Sequence, residues 1–186
     1  MKHLLRLSLL LSCLGLAQLI SPQAVQALPL VDTGLKIGTG TGFTTGDNNP
    51  LKEAEISNLA VGLAGSFDLV MVQLEINALY INRKTESSVA GNSVSVDESF
   101  IAVPVIGRFD ISPIPMIKLA VGGGYERRFY QGDGESPELN YFPLSVRGDV
   151  KVPLVGSFGV EGRFNYQLGD DKYKTHELMI FIHAFL

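Results

Sequence analysis

Apolar and polar residues alternate with period two along most of this chain. Val72–Tyr80 (VQLEINALY) sets Val72, Leu74, Ile76, Ala78 and Tyr80 against Gln73, Glu75 and Asn77. Successive side chains of a β-strand point to opposite faces, so this stretch predicts a strand with one apolar and one polar face. The same rhythm runs through Ser99–Ile111, Phe142–Val152 and Phe158–Leu168, and more weakly through Val31–Phe43, Ser57–Leu69 and Leu178–Leu186. KLAVGGGYERRFY, at Lys118–Tyr130, fits it too: Leu119, Val121, Gly123 and Tyr125 fall on one face, and Lys118, Gly122, Gly124, Glu126 and Arg128 on the other. Its three glycines therefore lie inside a strand. A phosphate-cradling loop needs a helix N-terminus after its glycines, and none follows here, at Gly38–Gly42 (GTGTG) or in GVEGRF. Glycines within strands instead mark close backbone approach or a bend in a barrel wall.

The pattern predicts about eight strands. Long polar connections (Thr44–Ala54, Lys84–Asp97, Gln131–Glu138, Gly169–Thr175) alternate with short ones near Asp68–Met71, Ser112–Pro115 and Pro153–Ser157. An up-and-down meander would then carry its long loops at one end and its tight turns at the other.

The first residues stand apart from this rhythm. Lys2, His3 and Arg6 precede an apolar run, Leu7–Ile20, and then SPQAVQA. That order is the order of a secretory signal peptide. Val25 and Ala27 suit the −3 and −1 positions, so residues 1–27 are expected to be removed and 28–186 to form one domain. The run is shorter than the roughly 20 residues of a membrane-spanning helix. LLSC, at Leu10–Cys13, loosely matches a lipoprotein processing site, but the apolar core before Cys13 is very short and continues past it. Cys13 is the only cysteine, so a chain cleaved after Ala27 crosses an oxidising compartment without a disulfide. Lys2 and Arg6 account for two of the 15 basic residues, leaving 13 against 19 acidic ones, a net charge of −6. A chain this acidic lacks the basic surface that nucleic acid requires.

Alternation leaves open which face meets water. A soluble lipocalin-like barrel turns its apolar face inward, and a membrane barrel turns it toward lipid. The apolar faces run for about the 9–11 residues that a tilted strand needs to cross a bilayer. Aromatics cluster near strand ends (Phe43, Phe67, Tyr80, Phe109, Phe142, Phe158, Tyr166), as interfacial girdles require. The polar faces mix glycines with charges of both signs, which suits a narrow lumen. The expected fold is therefore all-β: an eight-stranded antiparallel up-and-down transmembrane barrel with short periplasmic turns and long extracellular loops. Its inward positions include Asp32, Lys36, Asp68, Glu98 and Glu177. An interior charge network is expected from Glu75, Arg108, Asp110, Lys118, Glu126, Arg128, Arg147, Asp149, Lys151, Glu161 and Arg163.

LEINALYINRK (Leu74–Lys84), SFIAVPVIGRFD (Ser99–Asp110) and IKLAVGGGYE (Ile117–Glu126) give the chain a resemblance to a known family. It resembles the small outer-membrane β-barrel proteins of Gram-negative bacteria, the OmpA-, OmpX- and PorT-like group. The last strand, LMIFIHAFL, resembles the assembly signal of such barrels, with Phe185 followed by Leu186 where a terminal phenylalanine is usual. The resemblance implies an outer-membrane location, a lipid surround, and handling by periplasmic chaperones and the barrel assembly machinery. Family members act as pores, adhesins, membrane-stabilising proteins or secretion components. The family shares no catalytic residues, so none is carried over.

Some small outer-membrane barrels modify lipids with a serine and a histidine. His176 and His183 lie on the last strand, while Ser87, Ser88, Ser93 and Ser95 sit on a stretch expected to be a loop. A nucleophilic arrangement needs serine and histidine within reach of each other. The simpler assignment is an interfacial His176 and an interior His183 paired with a charge. No metal-ligand spacing appears, and Asp170 and Asp171 read as a solvated turn. No catalytic residue, metal or cofactor is assigned. The expected function is a non-enzymatic structural or interaction barrel acting on an extracellular ligand through its loops. The alternatives are a narrow passive porin-like channel and, further off, a soluble carrier.

Overall fold

A computed structural model describes residues 31–45, 54–69, 72–89, 92–111, 116–131, 139–152, 155–169 and 174–186. The expected signal peptide lies outside these residues, as do the stretches 46–53, 132–138 and 170–173. The side chain of Asp68 also lies outside them. Eight strands follow one another: β1 (Val31–Thr45), β2 (Glu55–Leu69), β3 (Val72–Val89), β4 (Asn92–Asp110), β5 (Ile117–Tyr130), β6 (Leu139–Val152), β7 (Gly156–Gln167) and β8 (Lys174–Phe185). They form a closed barrel in sequence order. β8 closes on β1 antiparallel from Gly34↔Phe185 to Thr45↔Lys174, and Leu186 N–H donates to Thr33 C=O at 2.8 Å beyond the last pair. Closure leaves no edge along the barrel wall, so the backbone groups are paired between strands without water.

The alternating pattern is realised with its apolar side out. Ile76, Val146, Ile180 and Ile182 are exposed, while Glu75, Arg147, Glu161 and Arg163 are buried. The apolar belt runs over Leu35–Phe43, Leu59–Phe67, Val72–Tyr80, Ile101–Phe109, Ile117–Tyr125, Phe142–Val150, Phe158–Tyr166 and Leu178–Leu186. Each span matches the length needed to cross the hydrocarbon layer when tilted.

Two prolines interrupt the ladders without shifting register. β3 and β4 pair at Ile76↔Val105 and again at Leu79↔Ala102, with a gap at Pro104. β5 and β6 pair at Gly123↔Leu144 and again at Glu126↔Tyr141, with a gap at Pro143. Proline has no N–H to give, so each costs its strand a bond on one side. The ladder to the other neighbour stays continuous, through Pro104↔Glu126 and Pro143↔Asn165.

The structure corrects the expected loop at Lys84–Asp97. β3 and β4 stay paired up to Val89↔Asn92, so this stretch is a two-stranded ladder. Strand-forming residues alternate on it as well (Val94 and Val96), and its serines do not prevent pairing. β2 leaves β3 at Glu55↔Glu86, and β5 reaches β4 at Phe100↔Tyr130. Among the described residues, 92–98 of β4 are therefore paired on one side only. The ladder forms an arm at the end of the barrel opposite the Leu186 terminus.

Part of the lumen is apolar. Ala60, Leu79, Ile81, Phe100, Ala102, Met179 and Phe181 form one buried cluster on β2, β3, β4 and β8. Glycine on β1 makes the room: a Cβ at Gly38 would stand 2.4 Å from the Phe181 ring.

Outward and inward neighbours should respond differently to polar substitution. An arginine at the bilayer midplane costs a barrel about 2–4 kcal/mol, so Ile76→Arg is expected to impair folding into liposomes severely. Asn77 is buried with neither amide atom hydrogen-bonded, so Asn77→Ser should cost little. Heat-modifiable electrophoretic mobility of the refolded variants measures both; equal losses would mean the two faces are misassigned.

Candidate functional site

On three strands an acid and a base two residues apart on the inward face bond directly. Arg128 Nε donates to Glu126 at 2.6 Å, Arg147 Nε to Asp149 at 2.7 Å, and Arg163 Nε to Glu161 at 3.0 Å. Period-two spacing puts both members on one face, which is why they meet.

These pairs join into a chain of alternating sign through the barrel. At the arm end Arg83 bonds Glu98 at 3.0 Å and lies 3.6 Å from Glu177. Arg128 holds Glu177 at 2.9 Å and Glu126 as above, and Arg163 links Glu126 at 3.5 Å to Glu161. Glu161 also accepts from Arg108 at 2.7 Å, from Ser145 at 2.8 Å and from Lys36. Lys36 and Arg108 pass the chain to Glu75, Arg147 bridges Glu75 to Asp149, and Asp149 meets His183. Near the other rim Lys118 lies 3.8 Å from Asp110. Aromatic rings seal the gaps, with Arg128 over Tyr141 at 4.1 Å, Arg147 over Phe185 at 4.5 Å and Arg163 over Phe181 at 4.6 Å.

Among the described residues, seven bases take part (Lys36, Arg83, Arg108, Lys118, Arg128, Arg147, Arg163) and seven acids (Glu75, Glu98, Asp110, Glu126, Asp149, Glu161, Glu177). The network is neutral when His183 is neutral.

Eight of the eleven residues expected in the network are joined in one chain, and two more, Asp110 and Lys118, face each other near the rim. Lys151 is the correction: it lies one residue from the end of β6, still paired with Ser157 of β7, and is exposed. Arg83 was not anticipated. Leu79 and Ile81 precede it on the same inward face, so the polar rhythm that would have marked it is broken.

The outside of the barrel has its own order. At the arm end, the outward residue after the apolar belt is polar on every strand but β7: Thr45, Ser57, Asn82, Ser99, Arg127, Asn140 and His176. Aromatics sit beside this collar and bond to it. Tyr80 Oη donates to Ser99 at 2.9 Å, Tyr125 donates to Asn140, and the His176 ring stacks on Tyr166 with centroids 4.6 Å apart. The arrangement suits a membrane interface, where one end of the side chain is dry and the other wet. His176 Nδ1 accepts from the Gln167 backbone N–H at 3.4 Å, so the hydrogen is on Nε2, which faces Thr45 Oγ1 at 3.0 Å. Beyond the collar, Glu86 pairs with Lys84 and raises its pKa, keeping this arm lysine charged. Among the described residues no group of His, Cys, Asp and Glu is gathered to hold a metal ion.

This architecture is that of the small outer-membrane β-barrels. The fold matches that of the Neisserial surface protein A, with a TM-score of 0.50, 10% identity, and coverage of 82% of this chain and 96% of that one. It also matches the outer membrane protein OprG from Pseudomonas aeruginosa, with a TM-score of 0.56, 10% identity, and coverage of 84% and 92%. No family model and no curated protein matches the chain in sequence.

The network ranks its own members. Removing one partner of a buried ion pair costs about 3–5 kcal/mol, whereas a partly exposed pair contributes about 0.2–1 kcal/mol. Glu161→Gln strips the shared partner from Lys36, Arg108 and Arg163 and should lower the urea midpoint of the refolded barrel strongly. Glu98→Gln, at the rim with its side chain 30% exposed, should lower it far less. Tryptophan is absent, so tyrosine fluorescence or far-UV circular dichroism reports the unfolding.

Proposed function

We propose that the protein is an integral outer-membrane barrel, non-enzymatic and closed to solutes, that works through its arm-end surface. The carrying observation is the inside-out distribution: a continuous apolar belt outside and a lumen filled with ion-paired side chains inside. A soluble carrier of greasy ligands would need the reverse. The arm faces the cell exterior in this reading, since barrels of this class place their tight turns toward the periplasm. Handling by periplasmic chaperones and the assembly machinery belongs to the same reading.

What supports an interaction role is the arm itself. Among the described residues, 92–98 of β4 are paired on one side only, and Val94 and Val96 are exposed. Such an edge is a template for adding an extended segment of another polypeptide. What supports the non-enzymatic reading is the orientation of His176. A general base must accept the proton of its nucleophile, and here Nε2 donates toward Thr45 instead. A passive channel is the second reading, favoured by the barrel topology and opposed by the bridged lumen.

Two measurements separate these readings. In planar bilayers the refolded protein should give little steady conductance, and Glu161→Gln together with Arg108→Gln should raise it by loosening the bridge; a large steady conductance of the unmodified barrel would promote the channel. On intact cells, Ser95→Cys should react with a membrane-impermeant maleimide and Met116→Cys should not. Labelling of the second alone would invert the orientation.

A further inference from the structure

The side of β4 that β5 leaves has a defined chemistry on the arm. Gln131 N–H donates to Ser99 C=O at 2.8 Å, so the backbone groups of Ser99 point toward β5. Backbone groups along a strand turn to the same side every second residue. Asp97, Ser95 and Ser93 therefore aim their N–H and C=O groups past the last β4–β5 pair, Phe100↔Tyr130. Val94, Val96 and Glu98 direct theirs to β3, along the ladder that runs to Val89↔Asn92. From Phe100 to Asn92 the strand covers roughly 26 Å at the usual rise, which carries this edge well beyond the rim. Edges are ordinarily guarded by lysine, proline or other charges. Ser87–Val96 (SSVAGNSVSV) has no charge and no proline, and Val94 and Val96 stand half exposed on one face of it.

The edge is complementary to itself. Two copies laid antiparallel about a twofold axis at Ser95 put Ser95 opposite Ser95, Val94 opposite Val96, Ser93 opposite Asp97 and Asn92 opposite Glu98. Ser93, Ser95 and Asp97 of each copy then exchange both of their backbone groups with the other, as the hydrogen-bonded pairs of an antiparallel ladder. Each Val94 meets a Val96 on the same face, a β-branched cross-strand pair. No acid stands opposite an acid, which matters for a chain of net charge −4. Sliding the register by two residues leaves some of these backbone groups unmatched. The arrangement also fixes where the second copy stands. Within one bilayer β4 descends toward the membrane in every copy, so two such edges run the same way. Antiparallel edges belong to copies in facing membranes.

We propose that the arm edge of β4 pairs with the same edge of a second copy in an opposing membrane, antiparallel about Ser95, so that the protein joins two outer-membrane surfaces. The proposal rests on the arm as the exterior interaction surface and names its occupant.

Liposomes carrying the refolded barrel test the pairing. Wild-type vesicles should cluster, seen as growth in light scattering. Ser95→Pro removes an edge N–H and no bond to β3, and should slow clustering about tenfold through the two central bonds lost. Val96→Lys should also slow it, with the backbone untouched. Each variant is scored only after its heat-modifiable shift shows it folded. In residues 28–186, which hold no cysteine of their own, Ser95→Cys adds a geometric readout. The Cα atoms of a hydrogen-bonded antiparallel pair lie about 5.5 Å apart, within reach of a disulfide. Glu86 is the register partner of Ser95 on β3, one strand further from the axis, and stands about 14 Å from its counterpart. Under copper phenanthroline Ser95→Cys should cross-link about tenfold faster than Glu86→Cys. Separately prepared vesicles bearing a short and a tagged form should yield the mixed-size dimer. Dimers of unmixed size alone put both copies in one bilayer and overturn the proposal, as does clustering that neither Ser95→Pro nor Val96→Lys slows. Vesicles that stay dispersed while Ser95→Cys still takes the maleimide overturn the second copy as occupant and leave the edge to a different polypeptide. Labelling of Met116→Cys alone overturns instead the orientation on which both rest.

Discussion

The wall of this barrel is one strand thick, and that constraint governs the rest. Each residue either faces out or faces in, and its neighbour takes the other side. In hydrocarbon the backbone must pair completely, so the sheet must close. Closure of eight strands fixes a lumen only wide enough for side chains. The apolar wall then forces the remaining chemistry into that narrow space. Polar residues, which in a soluble protein would face water, are packed against one another.

Charges crowded in such a space cannot be left alone. Isolated burial of an ion costs several kcal/mol even after relaxation, and the chain from Glu98 to His183 leaves each carboxylate a cationic partner. Glycine and aromatic residues complete the fit. Gly38 gives space to Phe181, and Phe181 in turn receives Arg163 on its face. The lumen is therefore half ionic and half apolar, with guanidinium groups touching both halves.

Much of this was legible in the sequence, for a physical reason. Period two is a strict consequence of strand geometry, so Val72–Tyr80 declared its two faces without any structure. Spacing also put Glu126 with Arg128, Arg147 with Asp149, and Glu161 with Arg163 on shared inward faces, but the same-strand bonds between them became visible only in the structure. Legibility failed where a face changed character along one strand. Leu79 and Ile81 are apolar and inward, which hid Arg83 behind them. It also failed at the arm, where serine and glycine suggested a loop and pairing with a neighbouring strand prevailed, as tertiary context commonly does. Register was out of reach as well. That Arg163 would span Glu126 and Glu161, on different strands, follows only from how β5, β6 and β7 align.

Neutrality of the lumen has a consequence for how the barrel behaves in an electric field. A transmembrane potential does work on net charge, about 2.3 kcal/mol per elementary charge for each 100 mV. Among the described residues, with His183 neutral, seven positive charges interleaved with seven negative ones feel forces that sum to zero along the bore. These described groups carry no net valence for a voltage to pull on, and each cation is tethered to anions pulled the opposite way. Such a plug is electrically indifferent. Polarisation of the membrane, in either direction, leaves it where it is.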